Sequence, residues 1–189
     1  MISAQELYQQ TKHKTRVIIL ASKANNNITA MLLHILKYHD KSVDYVLPNG
    51  KSHIAENNEF ILIEVAKNAN ELKGNIALIS DVNPEIQTVK FVNSITNGGM
   101  LVYNEDVPAI KLIVEASTNP IKKYPYLSPN FTLEDDIYFL DTNEGKLPLE
   151  ITNENDIKNM LGIKWICQHM GVDEDDFYEA VGTLRFNHK

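Results

Sequence analysis

Arg16-Val17-Ile18-Ile19-Leu20-Ala21-Ser22-Lys23-Ala24-Asn25-Asn26-Asn27-Ile28-Thr29-Ala30-Met31-Leu32-Leu33-His34-Ile35-Leu36-Lys37-Tyr38 decides how the chain is read. Its first part, Val17 to Leu20, is a continuous apolar run, the pattern of a strand buried on both faces of a parallel sheet. In its last part Ile28, Met31, Leu32, Ile35 and Leu36 recur at helical spacing, which predicts a helix over 28–38. Ala21 to Asn27 lie between the two. A loop that cradles phosphate here needs Gly-x-x-x-x-Gly-Lys-Ser/Thr, so that backbone N–H groups can wrap the ligand. This loop contains no glycine.

The same alternation continues outward. Ser3–Lys12 reads as a short helix with Ser3 as its N-cap. Val43–Leu47, Phe60–Glu64, Ile76–Ser80 and Met100–Tyr103 read as strands, and Pro84–Ile95 and Asp106–Ala116 as helices, the first stopped by Gly98-Gly99. Strands alternating with helices predict an α/β fold, a mainly parallel sheet flanked by helices. After Asn119 the pattern changes. Ile121–Leu127, Phe131–Glu134, Ile137–Asp141 and Leu147–Ile151 are short strands separated by turn residues, which predicts an antiparallel β-hairpin extension at the sheet edge. Asn155–Met170 and Asp173–Leu184 read as the last two helices. The expected organisation is one domain, 1–189: an N-terminal helix (1–14), an α/β core (15–118), the hairpin extension (119–152) and C-terminal helices (153–189).

Composition narrows the function. The 189 residues are 43% hydrophobic and 23% charged, ordinary values for a globular chain with a sizeable core. A net charge of -7 with no basic cluster argues against nucleic acid as a partner. A single cysteine, Cys167, fits a reducing compartment, and no apolar run is long enough to span a membrane. A cytoplasmic location with no membrane partner is the expectation.

Several segments resemble the central domain of the Mur ligases, and within that family the ligases that join murein tripeptide to UDP-N-acetylmuramate. They are Ile28–His39 with Val43-Asp44-Tyr45-Val46, Asn75–Ser80, Phe91–Asn104 and Leu161–Val172. The resemblance implies a P-loop-type α/β domain without the family's N-terminal UDP-sugar domain or its C-terminal domain that closes over ATP. Those ligases activate a carboxylate as an acyl phosphate and let an amine attack it. That chemistry requires a phosphate cradle, a metal carboxylate and an adenine pocket.

Each of these parts is altered at its matching position. Where the family reads Gly-Ser/Thr-His-Gly-Lys-Thr-Ser/Thr, this chain has Ala21 and Ala24 for the glycines, Asn25 for the lysine, and Asn26 and Asn27 for the hydroxyl residues. Cβ atoms at the glycine positions obstruct the phosphates, and losing the lysine removes a point charge. The acidic motif Glu-x-Asp-Glu matches Glu64-Val65-Ala66-Lys67, which keeps only Glu64. The Asp-His step after the 76–80 strand is missing from Asp81–Pro84. The motif Gly-x-His-Asn-x-x-Asn matches Asn153–Asn159, keeping Asn159 and placing Asp156 where the family's asparagine meets adenine.

The expected function is therefore a catalytically inactive Mur-ligase-like domain. Its binding of ATP and Mg is expected to be lost. Its expected role is protein interaction or regulation in peptidoglycan metabolism, with a full-length Mur ligase, another cell-wall protein or a second copy as partner. An alternative is a non-catalytic binder of a nucleotide, sugar nucleotide or anion, its remnant site drawn from Lys23, Asn25, Asn26, Asn27, Thr29, Glu64, Asp156 and Asn159. A second alternative is an ATP-dependent peptidoglycan-precursor ligase completed by another subunit. Plainer readings stand beside these. Asn25–Asn27 can be a turn and helix cap. Cys167 reads as core, His169 as a helix-end cation, and Glu134–Asp136 as a solvated turn. The histidines show no metal spacing.

Overall fold

Val17, Ile18 and Ile19 are wholly buried, and their strand, β1 (Thr15–Leu20), runs through the middle of a seven-stranded sheet. The structure is a computed structural model that describes residues 3–20, 27–65, 68–80 and 85–185, with backbone only at 85 and 86. Helix α1 (Ala4–Thr11) precedes β1, and α2 (Ile28–Tyr38) follows. Next come β2 (Asp44–Val46), β3 (Ser52–His53), β4 (Phe60–Val65), a 3-10 turn at Ala69–Leu72 and β5 (Ile76–Ile79). These lead to α3 (Glu85–Ser94), β6 (Met100–Asn104), α4 (Pro108–Ala116) and β7 (Lys122–Tyr126). The remainder is β8 (Phe131–Glu134), β9 (Ile137–Thr142), β10 (Gly145–Leu149), α5 (Glu154–Lys158), α6 (Met160–His169) and α7 (Glu174–Val181). The chain divides into two compact units, Met1–Asn25 with Ser42–Tyr126, and Asn26–Lys41 with Leu127–Lys189.

The first unit holds the large sheet, in the order β3-β2-β4-β1-β5-β6-β7. Every pairing is parallel except the short β2–β3 hairpin. The near-continuous apolar strands follow from this, because a parallel strand must be dry on both faces. On one face Ile18, Leu20, Ile61, Ile63, Ala77, Ile79, Leu101 and Tyr103 pack with Leu7, Leu72, Phe91, Val92, Ile110 and Val114 from the flanking helices and turn. Gly99 fits where β6 begins because a Cβ there would stand 2.7 Å from both the Asn75 and the Thr96 carbonyl oxygens.

The amino edge of this sheet carries its buried charges. Lys14 Nζ lies 3.0 Å from Asp44, with side chains 2% and 0% exposed, and donates to the Ala55 and Asn58 carbonyls at 2.7 Å each. Asp44 in turn accepts from the Ala55 N–H at 2.9 Å and from Asn58 Nδ2 at 2.8 Å. Arg16 is equally buried, and its guanidinium donates to the carbonyls of Leu72, Lys73, Thr11 and Lys14 and lies over the Tyr8 ring. Burial lowers its pKa, opposed by the Tyr8 ring nearby.

In the second unit α2 packs against α6 and α7. Ile28, Met31, Leu32, Ile35, Leu36, Ile163, Ile166, Cys167 and Phe177 are wholly buried. Polar contacts tie α2 and the residue after it to α7 and the turn that follows: His34 with the Thr183 hydroxyl at 2.9 Å, Tyr38 donating to Glu179 at 2.9 Å, and His39 Nε2 donating to the Asp176 carbonyl at 2.7 Å. A three-stranded antiparallel sheet, β10-β9-β8, completes the unit.

The expected fold class, a mainly parallel α/β sheet with an antiparallel part, is the one found. Three details differ. The strand expected at Ile121–Leu127 belongs to no hairpin. As β7 it is the seventh strand of the large sheet, parallel to β6 from Met100↔Lys122 to Asn104↔Tyr126. Pro125 is tolerated because an edge strand need not donate on its outer side. The helix expected over Asn155–Met170 breaks at Asn159, which ends α5 and precedes α6. There the Asn159 side chain donates to the Asn155 carbonyl at 2.7 Å, an interaction that competes with the backbone ladder. The two-residue β3 and the 3-10 turn were not anticipated.

Candidate functional site

In an open parallel sheet, ligands bind outside the carboxyl ends of the strands, where strand order reverses. That point is β1. The chain leaves it for β2 and β4 on one side and returns to β5 and β6 on the other. Lys23, Asn25 and Asn26 lie outside the described residues, as do Ala66, Lys67 and the Asp81–Pro84 segment. Glu64 is half-buried near the carboxyl end of β4, in register with Ile19 of β1. It stands in the first unit.

The best-defined polar geometry among the expected residues lies at the start of α2, in the second unit. Asn27 occupies the N-cap position, and its carbonyl accepts the first helical hydrogen bond from Met31 N–H at 2.8 Å. Its side chain does not cap the helix, contrary to the turn-and-cap reading. It donates instead. Asn27 N–H reaches Asp156 Oδ1 at 2.9 Å, and Asn27 Nδ2 reaches Asp156 Oδ2 at 2.6 Å. Asp156 has no exposed surface and sits in the first turn of α5. Asn153 steadies that turn by accepting from the Asn155 N–H at 3.0 Å. Two donors on two oxygens make a charge-assisted, bidentate pair, and the positive end of the α2 dipole adds to it.

Thr29, in the first turn of α2, is 2% exposed, and its hydroxyl has no hydrogen-bond partner among the described residues. Asn159, 7% exposed, gives its Nδ2 to the Asn155 carbonyl. Of the expected remnant residues, the structure therefore brings Asn27 and Asp156 into direct contact. The signal for this pair was faint: an aspartate replacing an asparagine, far along the chain from the asparagine run.

The other singled-out residues have plain surroundings. Cys167 is wholly buried, and burial pushes its thiol pKa well up. His169 Nδ1 donates to the Trp165 carbonyl one turn back. Asp135 and Asp136 form an exposed turn with positive φ, and Glu134 pairs with Lys146. Among the described residues no group of three or more His, Cys, Asp or Glu could hold a metal, and no helix is long and apolar enough to cross a membrane. One cavity of about 440 Å³ lies in the second unit by the β9–β10 turn and α7, and another of about 590 Å³ lies between α3 and α4. Neither is lined by any residue expected to bind a ligand.

Known structures share this arrangement. Over 98% of the chain superposes on 71% of the UDP-N-acetylmuramate:L-alanyl-gamma-D-glutamyl-meso-diaminopimelate ligase from Neisseria meningitides, with a TM-score of 0.77 and 13% identity. The fold is Mur-ligase-like. A murein peptide ligase from Psychrobacter arcticus matches 96% of the chain over 49% of its own length, with a TM-score of 0.71 and 11% identity. Folylpolyglutamate synthase from Thermotoga maritima matches 97% of the chain over 62% of its own length, at 0.67 and 11%. The Mur-ligase-like chain thus spans about half to seven-tenths of the length of these enzymes. No protein-family model and no curated protein sequence matches it.

Proposed function

We propose that the chain is a catalytically inactive Mur-ligase-like domain, a protein-interaction or regulatory module linked to peptidoglycan metabolism in the cytoplasm. The observation that carries this reading is the buried pairing of Asp156 with Asn27 at the start of α2. A nucleotide phosphate needs donors and positive charge at that helix end, and here the Asn27 N–H and Nδ2 are already engaged by a carboxylate. The sequence of the preceding loop supports the same reading, since Ala21, Ala24 and Asn25 replace the glycines and lysine of a phosphate cradle. Glu64 alone, with Lys67 where another carboxylate would stand, is a poor donor set for Mg²⁺. The residues at these positions do not fit Mg-ATP, and no catalytic step is derived through it.

The partners that suit the reading are a full-length Mur ligase, another cell-wall protein or a second copy of the chain. Affinity capture from the native cell tests this directly. Recovery of a peptidoglycan enzyme supports it, and phosphate release by the chain alone with a muramyl substrate overturns it. A second reading, a non-catalytic binder of a nucleotide, sugar nucleotide or anion, is favoured by one observation, the buried Thr29 hydroxyl, which has no hydrogen-bond partner among the described residues. A thermal-shift panel of ATP, ADP and UDP-sugars separates the two. A true ligand raises the melting temperature by several degrees, and a scaffold leaves it unmoved.

A further inference from the structure

We infer that Asp156 is an internal anion that keeps the start of α2 closed to phosphate. An eleven-residue helix leaves its first N–H groups unbonded and carries partial positive charge at that end, so an anion settles there. The Asn27 N–H and Nδ2 converge on one acceptor group, at 2.9 and 2.6 Å, and that group is the Asp156 carboxylate. It arrives from 129 residues along the chain, so tertiary structure rather than local turn chemistry puts it there.

The arrangement is built, not incidental. Asn153 caps the first turn of α5, Asp156 projects from that turn, and the carboxylate is wholly buried. A buried carboxylate is tolerable when its oxygens meet donors, and each oxygen meets one from Asn27. An asparagine at 156 would offer a single acceptor and set its own NH₂ against the NH₂ of Asn27. Phosphate entering this end must displace Asp156 or share a dry space with its charge, and either is costly. This inference deepens the non-catalytic reading of the same helix end and rests on it in taking that end to be out of use.

The test compares the full wild-type chain with Asp156→Ala and Asn27→Ala in thermal melts. Each is run at fixed ionic strength, with and without millimolar inorganic phosphate. Wild type and Asn27→Ala both keep the carboxylate, so phosphate is expected to move them by less than about 1 °C. Asp156→Ala is expected to melt about 4–8 °C lower and to recover about 2–4 °C in phosphate, which takes the vacated place. A phosphate response in wild type equal to that of Asp156→Ala overturns the inference, and so does none in Asp156→Ala. Should Asp156→Ala not fold, the double variant Asn27→Asp with Asp156→Asn decides. It keeps one carboxylate at the helix end, so it is expected to fold and stay indifferent to phosphate; failure of either overturns the inference. Mg-ATP run alongside separates this inference from the reading beneath it. ATP binding to wild type overturns the non-catalytic reading and, with it, the inference that rests on that reading. No ATP binding to wild type, with no phosphate response in Asp156→Ala, overturns only the internal anion.

Discussion

The amino edge of the large sheet and the start of α2 each bury charge, and they do so in opposite ways. At the amino edge, Lys14, Arg16 and Asp44 are surrounded by carbonyls, an amide and one another, and together they tie β1, β2, the 3-10 turn and the 54–59 loop into one network. At the start of α2 a single carboxylate meets the two donors of one asparagine. The first arrangement shares the cost of burial among many partners and serves the fold. The second lies at a helix N-terminus, where an anion is favoured. A buried charge with redundant partners therefore reads as architecture. One placed at a helix start, as Asp156 is, is what we propose stands in for a ligand.

Substitutions can break this contrast. The largest effect is expected from Lys14→Met, which leaves Asp44 buried without its cation. A loss of about 3–5 kcal/mol in urea unfolding is the expected outcome, and a loss under about 1 kcal/mol would contradict the structural role given to the pair. Asp156→Asn should cost less, about 1–3 kcal/mol, because one acceptor of the pair survives. Gly99→Ala sets a Cβ against two carbonyl oxygens and is expected to cost a similar 1–3 kcal/mol, roughly.

Acid sharpens the comparison further. Burial alone would raise the Asp44 pKa, but the Ala55 N–H, Asn58 and Lys14 outweigh it, and the net shift is downward. A carboxyl lowered by folding contributes stability above its unfolded value, roughly 3.9, and that contribution fades as pH falls through the folded value. Wild type should therefore lose stability in this acid range more steeply than Asp44→Asn, as followed by circular dichroism. Parallel slopes would show that the aspartate titrates alike in both states. The smallest effect belongs to Glu154→Gln, which breaks an exposed i, i+4 pair with Lys158 on α5; a change within about 0.5 kcal/mol is expected.

Much of the fold was legible in the sequence because the physics there is local. Val17–Leu20 and Ile76–Ile79 are unbroken apolar runs, the pattern of a strand buried on both faces. Ile28–Tyr38 repeats its apolar residues at helical spacing. Ser3 reads as the N-cap of α1, and in the structure Glu6 completes a capping box with it. What was not legible depends on distant partners. Tyr124-Pro125-Tyr126 looks like a hairpin until β6 is seen beside it. Asn159 breaks a helix whose apolar pattern runs straight through. The Lys14–Asp44 pair and the donors around Arg16 leave no periodic trace. At the candidate site, the absence of glycine from Ala21–Asn27 could be read directly, whereas the Asn27–Asp156 contact could not, since its members lie 129 residues apart.

The central claim is that this Mur-ligase-like domain no longer handles ATP. Isothermal titration of Mg-ATP into the full wild-type chain tests it most directly. The expected result is no heat beyond dilution at concentrations that saturate an ordinary ATP-dependent ligase. Stoichiometric, Mg-dependent binding would contradict it.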